Sequence, residues 1–446
     1  MKIKPLSRSA LEWSGTIDGS GSGSGPRRTT RNRDPTLHPF ERAREEQRAL
    51  NAAKLGRVFA KPFVYSLEGH EDGVYCFSRS RKEISKVCSG SADGSLRIWN
   101  LASRREVATC ENAHASFLRG VSVTADGERV ISAGDDRAVR IWDTTNGERL
   151  SEFLGNSAFS SVDCHWSDSV FATSGATVEI WDENRSDPIQ RLEWGADSVT
   201  KVRFNPVEKD ILASCGTDRG IGLYDLRLQT PVRKLVMAMR SNSVAWNPME
   251  SFNFTVANED RYLYTYDMRK LSTATCVHMD HISAVMDVDY SPTGREFVSG
   301  SYDRTIRIYG VGKGHARDVY HTRRMQRIFT VCYSGDSDFI LSGSDDADIR
   351  VWKAKSNAPM KPLLPKEREA LNYSNKLVQR YSSVPRVRRV ARHRHVPKYI
   401  VNANKTFDIM KKSQQRKDDN VRRNTNPEKA KPRKSERKLH IVRELE

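Results

Sequence analysis

One phrase returns along this chain at a nearly fixed interval. Residues 299–309 read SGSYDRTIRIY: a Gly-containing turn presents an Asp, and a short β-branched strand then ends on an aromatic. Versions stand at 89–99 (SGSADGSLRIW), 132–142 (SAGDDRAVRIW), 214–224 (SCGTDRGIGLY) and 342–352 (SGSDDADIRVW), with weaker copies ending at Trp181 and Tyr266. The closing aromatics Trp99, Trp142, Trp181, Tyr224, Tyr266, Tyr309 and Trp352 are separated by 43, 39, 43, 42, 43 and 43 residues. A unit of this size cannot bury its apolar face alone, so its copies must stack. Short strands repeating every ~40–45 residues make the four-stranded blades of a propeller. The fold class is therefore all-β: a seven-bladed propeller over residues 63–352.

Trp142-Asp143 and Trp181-Asp182 carry a terminal Trp-Asp pair, and Tyr224-Asp225 and Tyr266-Asp267 are close variants. Period, turn and strand together resemble the WD-repeat family. In that family the first strand completes the last blade, which implies that Phe63–Leu67 pairs beside residues 349–352. Such closure leaves no open sheet edge. A His, a Ser and an Asp also keep register: His70, Ser89, Asp93; His114, Ser132, Asp136; His281, Ser299, Asp303. These types could form a nucleophile, base and orienter. A catalytic site occurs once, however, and this set recurs with the repeat. The resemblance implies instead a buried hydrogen-bond network with Trp99, Trp142 and Tyr309, since buried polar groups persist when they are paired. The blade ending at Trp181 lacks the Asp and the blade ending at Trp352 lacks the His. Both are expected to be less stable, or held by partners.

The net charge of +18 is unevenly spread. Residues 1–62 hold 13 Lys+Arg and 6 Asp+Glu, and residues 353–446 hold 27 and 9, giving +7 and +18; the 34 and 41 left to the ring give −7. Flanks so unlike the ring point to a polyanion partner, most often nucleic acid. No apolar run reaches the ~18–20 residues of a membrane span, and the first residues (MKIKP) lack the apolar core of a secretory signal, so neither membrane nor export is expected. The cysteines are seven, odd in number, without close pairs, and read as small buried residues of a reducing compartment. No phosphate-binding glycine loop, metal-ligand spacing or lone catalytic set is present. The sequence thus predicts no cofactor, no metal, no small-molecule substrate and no enzyme.

The flanks read as basic, helical or extended additions. Residues 1–62 form an arm with a glycine-serine linker at 18–26, then Arg27, Arg28, Arg31 and Arg33, then a helix over 40–56 that needs the propeller or a partner to cover it. Beyond 352, Pro365 starts a helix to about Tyr381, a second spans about 399–412, and 413–446 is charged enough to be largely disordered when free. Between the helices lies RVRRVARHRH at 386–395. Arg386, Arg388, Arg389, Arg392 and Arg394, with Lys398, are the candidate RNA contacts, because Arg forks onto phosphates and stacks on unpaired bases. Tyr381, Tyr399 and Phe407 are candidate stacking surfaces. As a bare pattern the same run serves as a nuclear-import signal or a solvated tail, and the weaker cluster at 429–438 reads that way too.

Both termini narrow the resemblance. HPFE at 38–41, RALNA at 48–52, KL at 54–55 and VFAKPF at 58–63 resemble one WD-repeat subfamily, as do PKER at 365–368, Tyr373, Leu377, the run at 386–395 and PKYI at 397–400. This is similar to the Sof-one-like family of nucleolar WD-repeat proteins, over nearly the whole chain; the glycine-serine stretch at 19–25 departs from it. The resemblance implies a scaffold of the small-subunit processome in the nucleolus of the nucleus. Its partners would be the processome proteins, the 18S rRNA precursor and the U-three small nucleolar RNA particle, and its task 18S processing and 40S biogenesis. A second resemblance rests on Tyr224-Asp225-Leu226-Arg227 and Tyr266-Asp267-Met268-Arg269. Such endings on adjacent repeats look like the motif by which WD-repeat substrate receptors dock on the adaptor of cullin-four ubiquitin ligases. Arg227 and Arg269 would touch the adaptor; the plain alternative is that each only pairs with a nearby acid.

Overall fold

Residues 35–37, 39–194, 197–228, 230–425 and 435–445 are described by the computed structural model. The linker at 18–26 and the arginines after it lie outside these residues, as does the first part of the basic cluster at 429–438.

Seven antiparallel sheets form blades one to seven. Their inner strands are Val74–Arg79, Leu118–Val123, Ser161–Cys164, Val199–Phe204, Ser241–Trp246, Val285–Tyr290 and Ile328–Tyr333. Each neighbours the next, and the seventh neighbours the first, so the ring is closed. Side chains on these strands staple adjacent blades. Ser78 Oγ accepts from the Val123 amide, Ser122 Oγ from Cys164 and Asp163 from Phe204. Asp289 accepts from the Tyr333 amide, and Arg79 donates to the Tyr333 carbonyl across the point of closure. An inner strand has no spare sheet partner toward its neighbour, so these bonds satisfy groups that would otherwise be buried unpaired.

The repeated Ser-Gly-Ser, expected at a turn, lies in the strand Glu296–Ser301 just before it, and its Gly has a packing cause. A Cβ on Gly300 would lie 2.7 Å from Ile328 and 2.8 Å from Val331 of the next blade. Without it, Ile306 and Ile308 close onto Ile328, Val331 and Trp352 as one buried cluster. Phe63–Leu67 completes blade seven in the expected way, with Phe63 opposite Trp352 and Leu67 opposite Ile349. All seven cysteines are free thiols, and all but Cys276 are buried. No described helix is long and apolar enough to cross a membrane.

The helices are α1 (Glu41–Val58), α2 (Pro365–Arg380), α3 (Pro385–Ala391), α4 (Lys398–Asn424) and α5 (Glu436–Leu439). They do not form one C-terminal extension. The chain divides into two compact units: Met1–Lys61 with Ser356–His393, and Pro62–Lys355 with Arg394–Glu446. In the first unit, Ala49 and Ala53 of α1 bury against Leu377 of α2 and Val387 of α3. This gives α1 the apolar cover that the sequence reading sought on the propeller or another protein. In the second unit, α4 runs twelve residues past its expected end, and residues 441–445 form a strand. The expectation of a largely disordered stretch from 413 is corrected here for the residues described. Helix α4 gains support on its own surface from Gln414–Asp418 and Arg422–Asp419 pairs. The strand Ile441–Leu445 satisfies the free edge of blade four by pairing with Arg233–Met237.

Candidate partner-binding surfaces

The His-Ser-Asp sets close into locks. In blade two, Trp142 Nε1 donates to Ser132 Oγ (2.8 Å), Ser132 Oγ lies 2.7 Å from His114 Nε2, and His114 Nδ1 lies 2.9 Å from Asp136. With the indole proton directed at the serine oxygen, one tautomer satisfies the chain: the serine hydroxyl donates to Nε2 and Nδ1–H donates to the carboxylate. Burial lowers the His114 pKa, consistent with a neutral ring. Ser89, Ser132 and Ser299 are fully buried; Ser89 and Ser132 each accept from their indole and meet the imidazole, and Ser299 meets His281 Nε2. No substrate reaches them.

Two departures correct the expected network. In blade one, Ser95 Oγ takes the position next to His70 Nδ1 (2.9 Å) and Asp93 stands back at 3.7 Å. In blade six, His281 meets Ser299 (2.7 Å) and Asp303 (2.8 Å), but the buried Tyr309 hydroxyl has no hydrogen-bond partner among the described residues. Phenol and indole place their donors differently, so Tyr309 closes the core without joining the lock. The irregular blades have substitutes. Trp181 donates to Thr173 (2.9 Å), Trp352 to Ser342 (2.9 Å), and Arg350 forks onto Asp346 beside it. Asp218 of blade four pairs with Lys234 in place of a His.

The basic run is divided between the two units. Arg386, Arg388, Arg389 and Arg392 lie on or at the end of α3, exposed and without ion pairs among the described residues, while Val387 between them is buried. Arg57 donates to the Ala391 carbonyl and caps that helix. Arg394 behaves otherwise: its guanidinium donates to Asp280 (2.9 Å) and to the Ala316 carbonyl (2.8 Å). Lys398 begins α4 and is exposed. The aromatics proposed for stacking are engaged. Tyr381 donates to Glu45, Tyr399 donates to the Asp303 carbonyl (2.6 Å), and Phe407 lies under the Arg261 guanidinium at 3.8 Å. They hold their own helices in place, so the free surface of this region is arginine on α3.

Arg227 and Arg269 occupy equivalent turns on blades four and five. Each forks onto the Asp two residues earlier, Arg227 on Asp225 at 3.0 and 2.8 Å and Arg269 on Asp267 at 3.1 and 2.9 Å. Their side chains are 69% and 64% exposed. The fork fixes each guanidinium while leaving its outer edge to a partner. Arg233, on the outer strand of blade four, donates to the Arg269 carbonyl (2.9 Å) of the blade-five turn.

One element escaped the sequence reading. Blade five has Val256 where the other blades carry the lock Ser or Thr, and Met237 where a lock His would precede its inner strand, with Ser241 and Tyr266 meeting its sulfur. His440 docks on this blade from the far end of the chain. It stacks on Tyr264 at 3.7 Å, and its Nε2 lies 2.5 Å from the Tyr266 hydroxyl. The strand Ile441–Leu445 continues from it and ends opposite Lys234, next to Arg233. The signal available was IVREL itself, short and β-branched, inside a charged tail.

Residues 354–441 match the Sof1-like domain, and 61–100, 105–143, 274–310 and 314–353 match the WD domain, G-beta repeat. The chain is 48% identical over 425 residues to DDB1- and CUL4-associated factor 13 of Danio rerio, covering 94% of this chain and 95% of that protein. It is 44% identical to Protein SOF1 of Saccharomyces cerevisiae, covering 99% and 94%. The WD40 β-propeller domain of Doa1 superposes with a TM-score of 0.57 at 22% identity, over 67% of this chain and 99% of that one, a likeness of fold.

Proposed function

The chain belongs to the Sof1-like family of WD-repeat proteins, and we propose that it is a non-catalytic scaffold of the small-subunit processome, serving 18S rRNA processing and 40S subunit assembly in the nucleolus. The observation that carries this reading is α3. Four arginines stand exposed on a short helix whose opposite side is buried, which is a rigid cationic edge suited to phosphate. The propeller contributes a closed, stapled platform for protein neighbours, and its locks leave no reactive group accessible. Similarity to SOF1 agrees with this role. The test is affinity purification of the full chain from cells at physiological salt. The wild type retains the 18S precursor; a variant with Arg386, Arg388, Arg389 and Arg392 changed to Gln loses most of it. Equal recovery by both would remove the role assigned to α3.

A second reading is favoured by the matched Asp225–Arg227 and Asp267–Arg269 turns and by the name of the animal relatives. On it, the chain is also a substrate receptor docking on a cullin-four ligase adaptor. Arg227→Ala with Arg269→Ala is expected to abolish adaptor co-purification while sparing 18S maturation. Retained adaptor binding in that double variant argues against docking through these turns.

A further inference from the structure

Four aromatic rings stand apart from the blade cores. Tyr75, Phe117, Tyr302 and Phe329 belong to none of the hydrophobic clusters that join blades, and Phe117 is 46% exposed. The position of Phe329 and Tyr75 has a backbone cause. In the inner strands of blades seven, one and two the pairing shifts register by one residue, skipping Phe329, Tyr75 and Arg119 respectively. A bulge re-aims the side chain of the residue it inserts. Phe329 and Tyr75 stack with centroids 4.3 Å apart at 14°, and Tyr75 continues to Phe117 at 6.4 Å and 21°. Tyr302 meets Phe329 edge-on at 5.9 Å. Arg119 lies over both Tyr75 and Phe117, and Arg327 over Tyr302. The result is one continuous strip crossing blades six, seven, one and two.

Such a strip can receive stacked bases or the flat and cationic side chains of a peptide. Charge separates the two. The guanidinium of Arg119 is already held by Asp135, at 3.1 Å from Nε and 3.0 Å from Nη2. Asp72 and Asp345 are exposed and have no ion pair among the described residues. They lie close enough to Tyr75 to act on its phenol: burial raises its pKa, Arg119 opposes, and both carboxylates add to the rise. Arg327, exposed and without an ion pair among the described residues, would draw a phosphate to the Tyr302 end, but along the Tyr75 stretch a phosphate chain would meet these carboxylates, whereas a Lys or Arg would be attracted to them.

We propose that this strip binds an extended peptide segment of a partner protein, with an aromatic or proline side chain laid on the Phe329–Tyr75–Phe117 stack and an adjacent Lys or Arg paired with Asp72 and Asp345. The strip shares no residue with α3 or with the Arg227 and Arg269 turns, so the readings given to those surfaces stand or fall independently.

The test uses the purified full chain and a displayed library of random dodecapeptides, followed by fluorescence anisotropy with the most enriched peptide and with fluorescein-labelled oligouridylate. Selected peptides are expected to join an aromatic or proline to Lys or Arg within a few residues. Their binding should weaken about tenfold or more in Phe117→Ser and in Asp345→Asn, two surface changes that leave the melting temperature unaltered. Selection of peptides without that pairing, or binding indifferent to both substitutions, would overturn the proposal. So would oligouridylate that binds more tightly than the peptides and is lost in Phe117→Ser, which would make the strip a base-stacking site.

Discussion

At the scale of single residues, the repeat locks separate groups that look alike in sequence. Trp142 and Tyr309 close equivalent blades, yet the indole donates to Ser132 while the Tyr309 hydroxyl is buried without a hydrogen-bond partner among the described residues. Removing a buried donor that is used costs about 1–3 kcal/mol, and removing one that is unused costs little or nothing. Trp142→Phe is therefore expected to lower the urea midpoint clearly, and Tyr309→Phe to leave it unchanged or raise it; the opposite order would contradict the assigned geometry. His281 is a harder case. Burial alone would raise the Asp303 pKa, but His281, Arg307 and the Thr305 hydroxyl hold it down to about 2. His281→Ala removes a neutral imidazole's hydrogen bond to that carboxylate, a loss of about 1.5–3 kcal/mol, the range for hydrogen bonds to charged groups. The lock residues were legible because they recur at a fixed offset from the aromatic. That Tyr309 stands outside the lock was not, because one letter does not say where a hydroxyl falls.

At the scale of elements, the propeller strands and α2 were legible from period and turn chemistry, and the tail was not. Composition measures what a segment can bury by itself, and the tail buries little by itself. Its order comes from what the ring leaves open: an edge on blade four and the Tyr264–Tyr266 face of blade five. His440 makes that docking sensitive to acid. Burial lowers its pKa from 6.5 to about 4. The docked ring is neutral, while a released His440 takes up a proton below about pH 6.5. Docking is therefore at full strength above that pH, weakens as pH falls from 6.5 toward 4, and levels off below. Hydrogen exchange of the amides in Ile441–Leu445 should quicken through this window beyond its intrinsic pH dependence. In His440→Phe, which keeps the stack on Tyr264, the extra dependence should vanish. A segment whose protection follows the intrinsic rate alone at every pH would rule out His440 as the anchor.

At the scale of the whole molecule, the basic run is divided differently from its linear order. The run at 386–395 looks uniform as text; Arg394 is spent on Asp280 and Ala316, and the four arginines of α3 have no ion pair among the described residues. Those four set a quantitative expectation. Each phosphate contact on a single strand contributes ~0.7 to the slope of log affinity against log salt, so changing all four to Gln should reduce that slope by roughly 3. Contact of α3 with the ribosomal RNA precursor can be read by ultraviolet crosslinking in cells with sequencing of the bound RNA. Enrichment on the 18S precursor or its guide RNA is expected, and it should disappear when Arg386, Arg388, Arg389 and Arg392 become Gln while the protein remains abundant. Crosslinks that persist unchanged in that variant, or their absence in the wild type, would contradict that contact.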